Sequence, residues 1–322
     1  MREVSAPIET IYLGGGTPSQ LTPGQLHQLF LYINKVYDPR AMEVTIEMNP
    51  DDVTPEYVAT LSQLGVNRVS MGAQTFNDER LRFLRRRHSS SQVYDAVCIL
   101  REAGVRNISI DLMYGFPGET LDDFHRDIDA ALALDVEHIS AYCLMIEEGT
   151  ALYRLGIEAA DEETERAMYE LLIDCLTTAG YEHYEISNFA RKGFRSRHNS
   201  SYWNDTPYIG LGAAAHSYDG HCRSWNVADI RAYIAAIERG ELPTECEELD
   251  ADTKYNDRIA TALRTRDGLN LGELDERHRQ YCLTEAQRFI ADGLLEIVDN
   301  NLRLTRRGLF VSNMVMSELM LV

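Results

Sequence analysis

The sequence predicts an α/β fold, in which a (β/α) barrel is followed by a C-terminal helical, winged-helix-like domain. Three observations support this prediction. Strands alternate with helices over the first half of the chain, which is typical of a parallel sheet. Each strand has one polar and one apolar face, and the C-terminal segment combines helices with a short hairpin.

The first elements can be assigned from local signals. The strand IETIYL runs into three glycines, and Thr22 and Pro23 then supply an N-cap and a first-turn proline for a helix. MEVTIEM at 42–48 alternates with period two, and a second helix begins after Thr54 and stops at Gly65. The same pattern predicts strands in VNRVSMGAQ, RNISIDLMYG and VEHISAYCLM, with helices near 89–103 and 120–134.

The polarity of alternate strand residues favours a barrel over an open doubly wound sheet. A strand inside an open sheet is apolar on both faces. Here Thr45 and Glu47 alternate with apolar neighbours, and the alternation recurs before Gln74 and around Asp111. We expect one face to pack under helices and the other to line a polar lumen. Singly these are ordinary structural residues, but Glu47, Gln74 and Asp111 all end strands, where barrels place their chemistry.

The pattern changes beyond residue 150. A helix is predicted near 161–179, and the segment 181–220 is rich in Tyr, Asn, His and Gly with few helical signals. The predicted domains are a partial barrel at 1–180, a distinct segment at 181–248 and a C-terminal domain at 249–322.

The C-terminal domain is predicted from its own signals. Helices around 255–265 and 283–293 lead to two short strands about the turn 299–301 and then to one final helix. This order indicates a winged-helix-like module. Its few arginines favour a packing or partner domain over DNA binding.

Charge and hydropathy restrict the function further. The 322 residues carry a formal charge of −20, which argues against general nucleic-acid binding because such binding needs cations at the phosphates. No window has the apolar length of a membrane span, and the N-terminus lacks the apolar core of a signal peptide. The cytoplasm is therefore the expected location.

The cysteines are too far apart for a metal motif. No two of the six lie closer than 24 positions, so neither a zinc nor an iron–sulfur spacing is present. We expect free thiols at all six positions, which are Cys98, Cys143, Cys175, Cys222, Cys246 and Cys282.

GGGTP alone would indicate only a loop that approaches a phosphate or nucleotide. The ordered series IYLGGGTPS, IEMNP, RVSMGAQTFND, DLMYGFPGET, HNSSYW and YIGLGAAAHS is far more specific. Over about residues 8–320 it resembles the radical S-adenosylmethionine (SAM) proteins related to oxygen-independent coproporphyrinogen III oxidase, in their heme-chaperone (HemW-like) branch. The resemblance implies a radical-SAM-type barrel whose first strand, cluster loop and following helix would lie upstream of Met1.

The resemblance also implies a SAM site. It places Gly15, Gly16, Thr17 and the strand-end Glu47 against SAM near a cluster, and it places Gln74, Arg86 and Asp111 around an adjacent SAM site. Carboxylates suit ammonium and ribose hydroxyl groups, and Gln or Arg can donate to a carboxylate. For Arg86 a solvated face remains an alternative, since it lies within a basic run from Arg85 to His88.

The motif HNSSYW is the one typical of the heme-chaperone branch. It makes His198, Asn199, Tyr202 and Trp203 candidate heme contacts, since histidine can ligate heme iron and aromatic rings can stack on a porphyrin. A structural turn is an equally good interpretation of the motif.

A basic run precedes this motif. ARKGFRSRH gathers Arg191, Lys192, Arg195 and Arg197 in an acidic protein, and we expect this run to receive porphyrin propionates.

The chain departs from the family at the [4Fe–4S] cluster. The family motif C-x3-C-x2-C is absent, so no metal ligand and no catalytic residue are assigned, and the cluster is expected only in full-length relatives. Either a truncated form or a genuine short paralog is possible, and an unpaired edge at the strand 8–13 favours truncation. The chain as it stands is expected not to reduce SAM.

Three functions are compatible with these features. The first is a heme-trafficking chaperone that carries heme to membrane hemoproteins. The second is oxygen-independent coproporphyrinogen III oxidase, which would need the cluster and a 5′-deoxyadenosyl radical. The third is a clusterless interaction scaffold.

Overall fold

The computed structural model describes residues 7–37 and 39–321. The chain divides into two compact units, the first ending at His198 and the second beginning at Asn199. Each unit is described by itself below.

The first unit is built on a seven-stranded sheet that curls into a half-barrel, as predicted. The strand order is β1-β2-β3-β4-β5-β7-β6, and the first five strands are parallel. The strands are β1 (Ile8–Leu13), β2 (Pro39–Met48), β3 (Arg68–Gln74), β4 (Asn107–Tyr114), β5 (His138–Cys143), β6 (Glu182–Glu185) and β7 (Asn188–Ala190). Within the described residues, β1 forms one edge of this sheet.

Helices connect the parallel strands, and their starts follow the cap residues read from the sequence. Thr22 forms a capping box with Gln25, and the hydroxyls of Thr54 and Thr120 accept the N–H groups that open their helices. The helices are α1 (Pro23–Val36), α2 (Pro55–Gln63), α3 (Asp78–Phe83), α4 (Ser90–Glu102), α5 (Leu121–Ala133), α6 (Ala151–Arg154) and α7 (Glu162–Thr178).

The strands have the predicted polar and apolar faces. Ile46, Met71 and Ile110 are fully buried on the apolar face, which the helices cover. The opposite face carries buried polar groups deep in the lumen, where His138 bonds Ser109 at 2.8 Å. Burial holds the pKa of His138 well below its usual range, so its imidazole is neutral.

The segment 181–220 contains more regular structure than the sequence indicated. The strands β6 and β7 extend the sheet past residue 180 as an antiparallel pair, so the boundary predicted at 180 does not coincide with the end of the sheet. The segment has few helical signals, yet it contains one short helix, α8 (Arg197–Trp203), which includes the HNSSYW motif. Its start depends on a buried carboxylate distant in sequence, which no local signal reveals.

That carboxylate belongs to Glu43 on β2. It accepts the backbone N–H groups of Arg197 at 3.0 Å and His198 at 2.9 Å, and Glu43 itself is buried. A carboxylate at a helix start satisfies donors that have no partner within the helix. These two hydrogen bonds hold the chain that follows β7 against β2, which lies near the other edge of the sheet.

The second unit has two small sheets. A three-stranded sheet β10-β9-β8 has one helix between β9 and β10 in sequence, and the C-terminal part forms a helical domain with the sheet β11-β13-β12. The elements are β8 (His216–Tyr218), β9 (Cys222–Asn226), α9 (Ile230–Glu238), β10 (Thr244–Glu248), α10 (Ala251–Ala262), β11 (Leu269–Asn270), α11 (Glu276–Ala291), β12 (Leu295–Val298), β13 (Asn301–Leu304), α12 (Arg306–Leu309) and α13 (Ser312–Leu319).

The C-terminal domain matches the winged-helix-like prediction in its helices and hairpin. Asp299 and Asn300 both have positive φ, 51° and 65°, as a two-residue turn that matches the strand twist requires. The single final helix was a wrong prediction, because the chain breaks between α12 and α13 at Phe310 and Val311. Within residues 7–37 and 39–321, no helix is both long enough and apolar enough to cross a membrane.

Leu302 tests the packing of this domain. It is fully buried in the C-terminal core, and we expect Leu302→Ala to lower the free energy of unfolding by about 2–5 kcal/mol through lost contacts and a cavity. Urea unfolding followed by circular dichroism would measure this loss. Ile297 lies directly opposite on β12 but is 45% exposed, so Ile297→Ala should change stability by less than about 1 kcal/mol. Equal losses for the two variants would contradict the assigned core.

Candidate functional site in the half-barrel lumen

The carboxyl ends of β1 and β2 bring the GGGTP loop to the carboxylate of Glu47. One oxygen of Glu47 accepts the hydroxyl of Tyr12 at 2.7 Å, and the other accepts the backbone N–H of Gly15 at 3.2 Å. Burial, followed by the charge of Glu47, raises the pKa of Tyr12, so the phenol stays protonated and donates. Glu47 is therefore oriented by two donors from the neighbouring strand and loop.

Asp111 on β4 faces the same part of the lumen. Burial raises its pKa to about 7, and the negative charge of Glu47 acts in the same direction. The guanidinium of Arg68 and the hydroxyls of Ser70 and Ser140 oppose this effect. Two carboxylates that repel each other in a partly buried site favour a cationic ligand between them.

Gln74 and Arg86 lie at the end of β3. Arg86 donates to the side-chain oxygen of Asn49 at 2.7 Å and to the carbonyl of Gly72 at 3.0 Å, and burial lowers its pKa. Gln74 has a φ of 67°, an unusual backbone conformation for a residue with a side chain. Arg85 and Arg87 are the exposed arginines of the basic run, and Arg87 pairs with Asp51 and Asp52 after β2.

Glycines at two strand ends make room for these side chains. A Cβ atom at Gly72 would stand 2.6 Å from Nε2 of Gln74 and 2.9 Å from Arg86. A Cβ atom at Gly14 would stand 2.5 Å from the Tyr12 ring and 2.8 Å from Glu47. Gly15 has a φ of 78°, which favours glycine, and neither it nor Gly16 has a neighbour within 4 Å of a Cβ position.

The donor set fits SAM but not a cluster. The lumen offers carboxylates for an ammonium or sulfonium group, and amide and guanidinium donors for a carboxylate. The described residues contain no group of three His, Cys, Asp or Glu side chains placed to hold a metal ion. All six cysteines are free thiols.

The predicted site residues lie on β1–β4 or in the segments that follow them. Gly15, Gly16 and Thr17 follow β1, Glu47 and Gln74 lie at the ends of β2 and β3, and Arg86 lies between α3 and α4. The expectation that Asp111 ends its strand was wrong, because β4 continues to Tyr114. Sequence reasoning missed Tyr12, Asn49 and Arg68. Tyr12 and Arg68 could have been found by extending the strand alternation along β1 and β3. Asn49 is placed by its contact with Arg86, which is distant in sequence.

The residues of HNSSYW divide between the two units. His198 ends the first unit, where its Nδ1 lies 2.9 Å from the Thr10 hydroxyl. In the second unit, the ring of Tyr202 contacts Tyr208 edge-on at 4.8 Å, and the guanidinium of Arg264 lies over the ring of Trp203. Among the described residues, the buried Nε1–H of Trp203 has no hydrogen-bond acceptor.

The basic run before the motif is already engaged in internal contacts. Arg195 pairs with Glu182 at 2.6 Å, and Arg191 pairs with Asp135 at 3.2 Å. A porphyrin propionate would have to compete with these carboxylates. The proposed reception of propionates by this run therefore stays a prediction.

Comparisons with known proteins agree with this architecture. Residues 1–131 match the model of the radical SAM superfamily, and residues 249–311 match the HemN C-terminal domain. The protein named heme chaperone HemW from Bacillus subtilis is 35% identical over 96% of this chain and 84% of its own length. A protein of the same name from Mycobacterium tuberculosis is 36% identical over 99% of this chain and 82% of its own length.

The chain belongs to the HemW family. A mitochondrial radical SAM domain-containing protein from Mus musculus is also similar, at 30% identity over 97% of this chain and 76% of its own length. Among solved structures, the fold resembles coproporphyrinogen III oxidase (HemN) from Escherichia coli, with a TM-score of 0.81 and 22% identity over 97% of this chain and 77% of that one. This chain and HemN thus share one fold.

Asp111 gives the lumen of this HemW-family chain a distinctive pH dependence. Because its folded-state pKa of about 7 lies above the ordinary value of 3.8, its contribution to stability is present below pH 3.8 and is lost as the pH rises to about 7. We expect Asp111→Asn to remove this loss and to raise the free energy of unfolding at pH 8 by about 1–3 kcal/mol.

Urea unfolding between pH 4 and pH 8 would measure this difference. Asp95 lies on the exposed face of α4, so Asp95→Asn should retain the pH dependence of the unmodified chain. A pH profile unchanged by Asp111→Asn would contradict the raised pKa.

Proposed function

We propose that this chain is a heme-trafficking chaperone that binds heme as cargo and delivers it to membrane hemoproteins. The observation that supports this function is the 33–36% identity to proteins named heme chaperone HemW over nearly the whole chain. The proposed location is the cytoplasm, on the basis of the sequence alone.

We propose further that the lumen of the first unit binds SAM. Glu47 and Asp111 would hold its ammonium and ribose hydroxyl groups, and Gln74 and Arg86 would donate to its carboxylate. Gly15, Gly16 and Thr17 would bring backbone against the methionine end. In relatives with a [4Fe–4S] cluster, bound SAM supplies radical chemistry. No radical step is proposed for this chain, because its cysteines do not form a cluster-binding set.

For heme, the proposed contacts lie in HNSSYW. Tyr202 and Trp203 offer aromatic surfaces in the second unit, and Asn199 precedes them on α8. His198 is the candidate iron ligand of the motif by residue type. Because His198 contacts β1 in the first unit, its role is the least supported of the four proposed heme contacts.

Two alternatives have less support. An oxidase acting on coproporphyrinogen III would need the cluster, and the likeness to HemN at 22% identity concerns the fold alone. A clusterless scaffold would bind neither heme nor SAM, which leaves the converging carboxylates of the lumen without a role.

A heme titration followed by Soret absorbance tests the main proposal. We expect the unmodified chain to give a saturable Soret shift, and Trp203→Leu to weaken heme binding by about 3- to 10-fold through loss of an aromatic contact. Trp225→Leu, on β9, is the control and should change heme affinity by less than about 2-fold. A non-saturable Soret response would overturn the chaperone function and favour the scaffold.

Gly72 tests the SAM site separately. A methyl group at this position would displace the ends of Gln74 and Arg86, so we expect Gly72→Ala to weaken SAM binding by about 10-fold or more. Gly24, in the first turn of α1, has no neighbour within 4 Å of a Cβ position, and Gly24→Ala should bind as the unmodified chain does. Equilibrium dialysis with radiolabelled SAM would measure both affinities. Equal affinities would contradict the placement of SAM beside Gln74 and Arg86.

A further inference from the structure

The histidine of HNSSYW is half-buried against β1 of the first unit. The chain after β7 returns across the half-barrel, and Ser196 within it is fully buried. The carboxylate of Glu43 then fixes the backbone of Arg197 and His198. This anchor determines where the imidazole of His198 can lie.

The imidazole contacts two lumen residues of β1. Its Nδ1 lies 2.9 Å from the hydroxyl of Thr10, and its ring stacks on Tyr12 with 4.8 Å between centroids and 19° between planes. Burial lowers the pKa of His198, so the stacked ring is neutral near pH 7. A neutral, hydrogen-bonded ring in van der Waals contact with Tyr12 restricts the rotation of the phenol.

Tyr12 in turn restricts the position of the Glu47 carboxylate. Its hydroxyl donates to Glu47 at 2.7 Å, and the second oxygen of Glu47 accepts the N–H of Gly15 at 3.2 Å. The Tyr12 ring also packs against Gly14, where a Cβ atom would stand 2.5 Å from it. The contacts thus run without interruption from His198 through Tyr12 to Glu47 and the GGGTP loop.

We propose that His198 is a positioning residue for the SAM site, acting through the ring of Tyr12 on the carboxylate of Glu47. This inference rests on the proposed SAM site and adds a residue to it. It gives HNSSYW a function in the first unit that is separate from heme contact. The stacked ring matters for this role, and the ability of histidine to bind iron does not.

The first test compares SAM affinities by equilibrium dialysis. We expect His198→Gln to weaken SAM binding by about 3- to 10-fold, and His198→Phe, which keeps an aromatic ring, to recover most of the loss. In a Tyr12→Phe background, His198→Gln should cost less than about 2-fold, because the link to Glu47 is already broken. His125→Gln, an exposed histidine on α5, is the control and should bind SAM normally. An equal loss in both backgrounds would overturn the proposal.

The second test needs no bound ligand. In protein labelled with ¹³C at the tyrosine Cζ, the Tyr12 resonance is the one missing from Tyr12→Phe. We expect His198→Gln to shift this resonance more than any other tyrosine signal, and an unmoved Tyr12 signal would overturn the proposal. If the unmodified chain binds no SAM, the proposed SAM site fails, and this spectrum alone decides whether His198 positions Tyr12.

A third measurement separates positioning from iron ligation. Positioning predicts that His198→Phe keeps the Soret spectrum and heme affinity of the unmodified chain. A lost Soret shift in His198→Phe with unchanged SAM affinity would identify His198 as an iron ligand and overturn the positioning role.

Discussion

The two-residue repeat of side chains along a curled parallel sheet is the constraint on which the rest of this structure depends. Every second residue of β1–β5 faces the lumen, so polar groups far apart in sequence meet there. The other face of the sheet is covered by the helices, and strand side chains such as Ile46 and Ile110 are buried beneath them. A shift of one residue in any strand would exchange the two sets and remove the site.

Electrostatics then decide what the lumen can accept. Glu47 lies close enough to Asp111 to raise its pKa, and the positive charge of Arg68 partly offsets this effect. The negative charge that remains is poorly hydrated, and a cation bound between the carboxylates would relieve it. The proposed ligand, SAM, carries such cationic groups beside a carboxylate. In the proposal, Gln74 and Arg86 donate to that carboxylate.

Glu43 shows how one buried carboxylate can organise a distant segment. It holds the start of α8 against β2, and this fixes His198 beside Thr10 and Tyr12. The cost of burying Glu43 is offset by two backbone donors at a helix start. A motif typical of heme chaperones is thereby attached, at its first residue, to the strand that carries the GGGTP loop.

The sequence by itself determined the parallel sheet, the helix starts at Thr22, Thr54 and Thr120, and the inward direction of Glu47, Gln74 and Asp111. These features follow from short-range rules of capping and alternation. The contact of Asn49 with Arg86 and the helix at HNSSYW were decided by the tertiary structure. Both depend on groups remote in the chain. The pairing of Glu43 with His198 spans 155 positions, and no local pattern encodes such a contact.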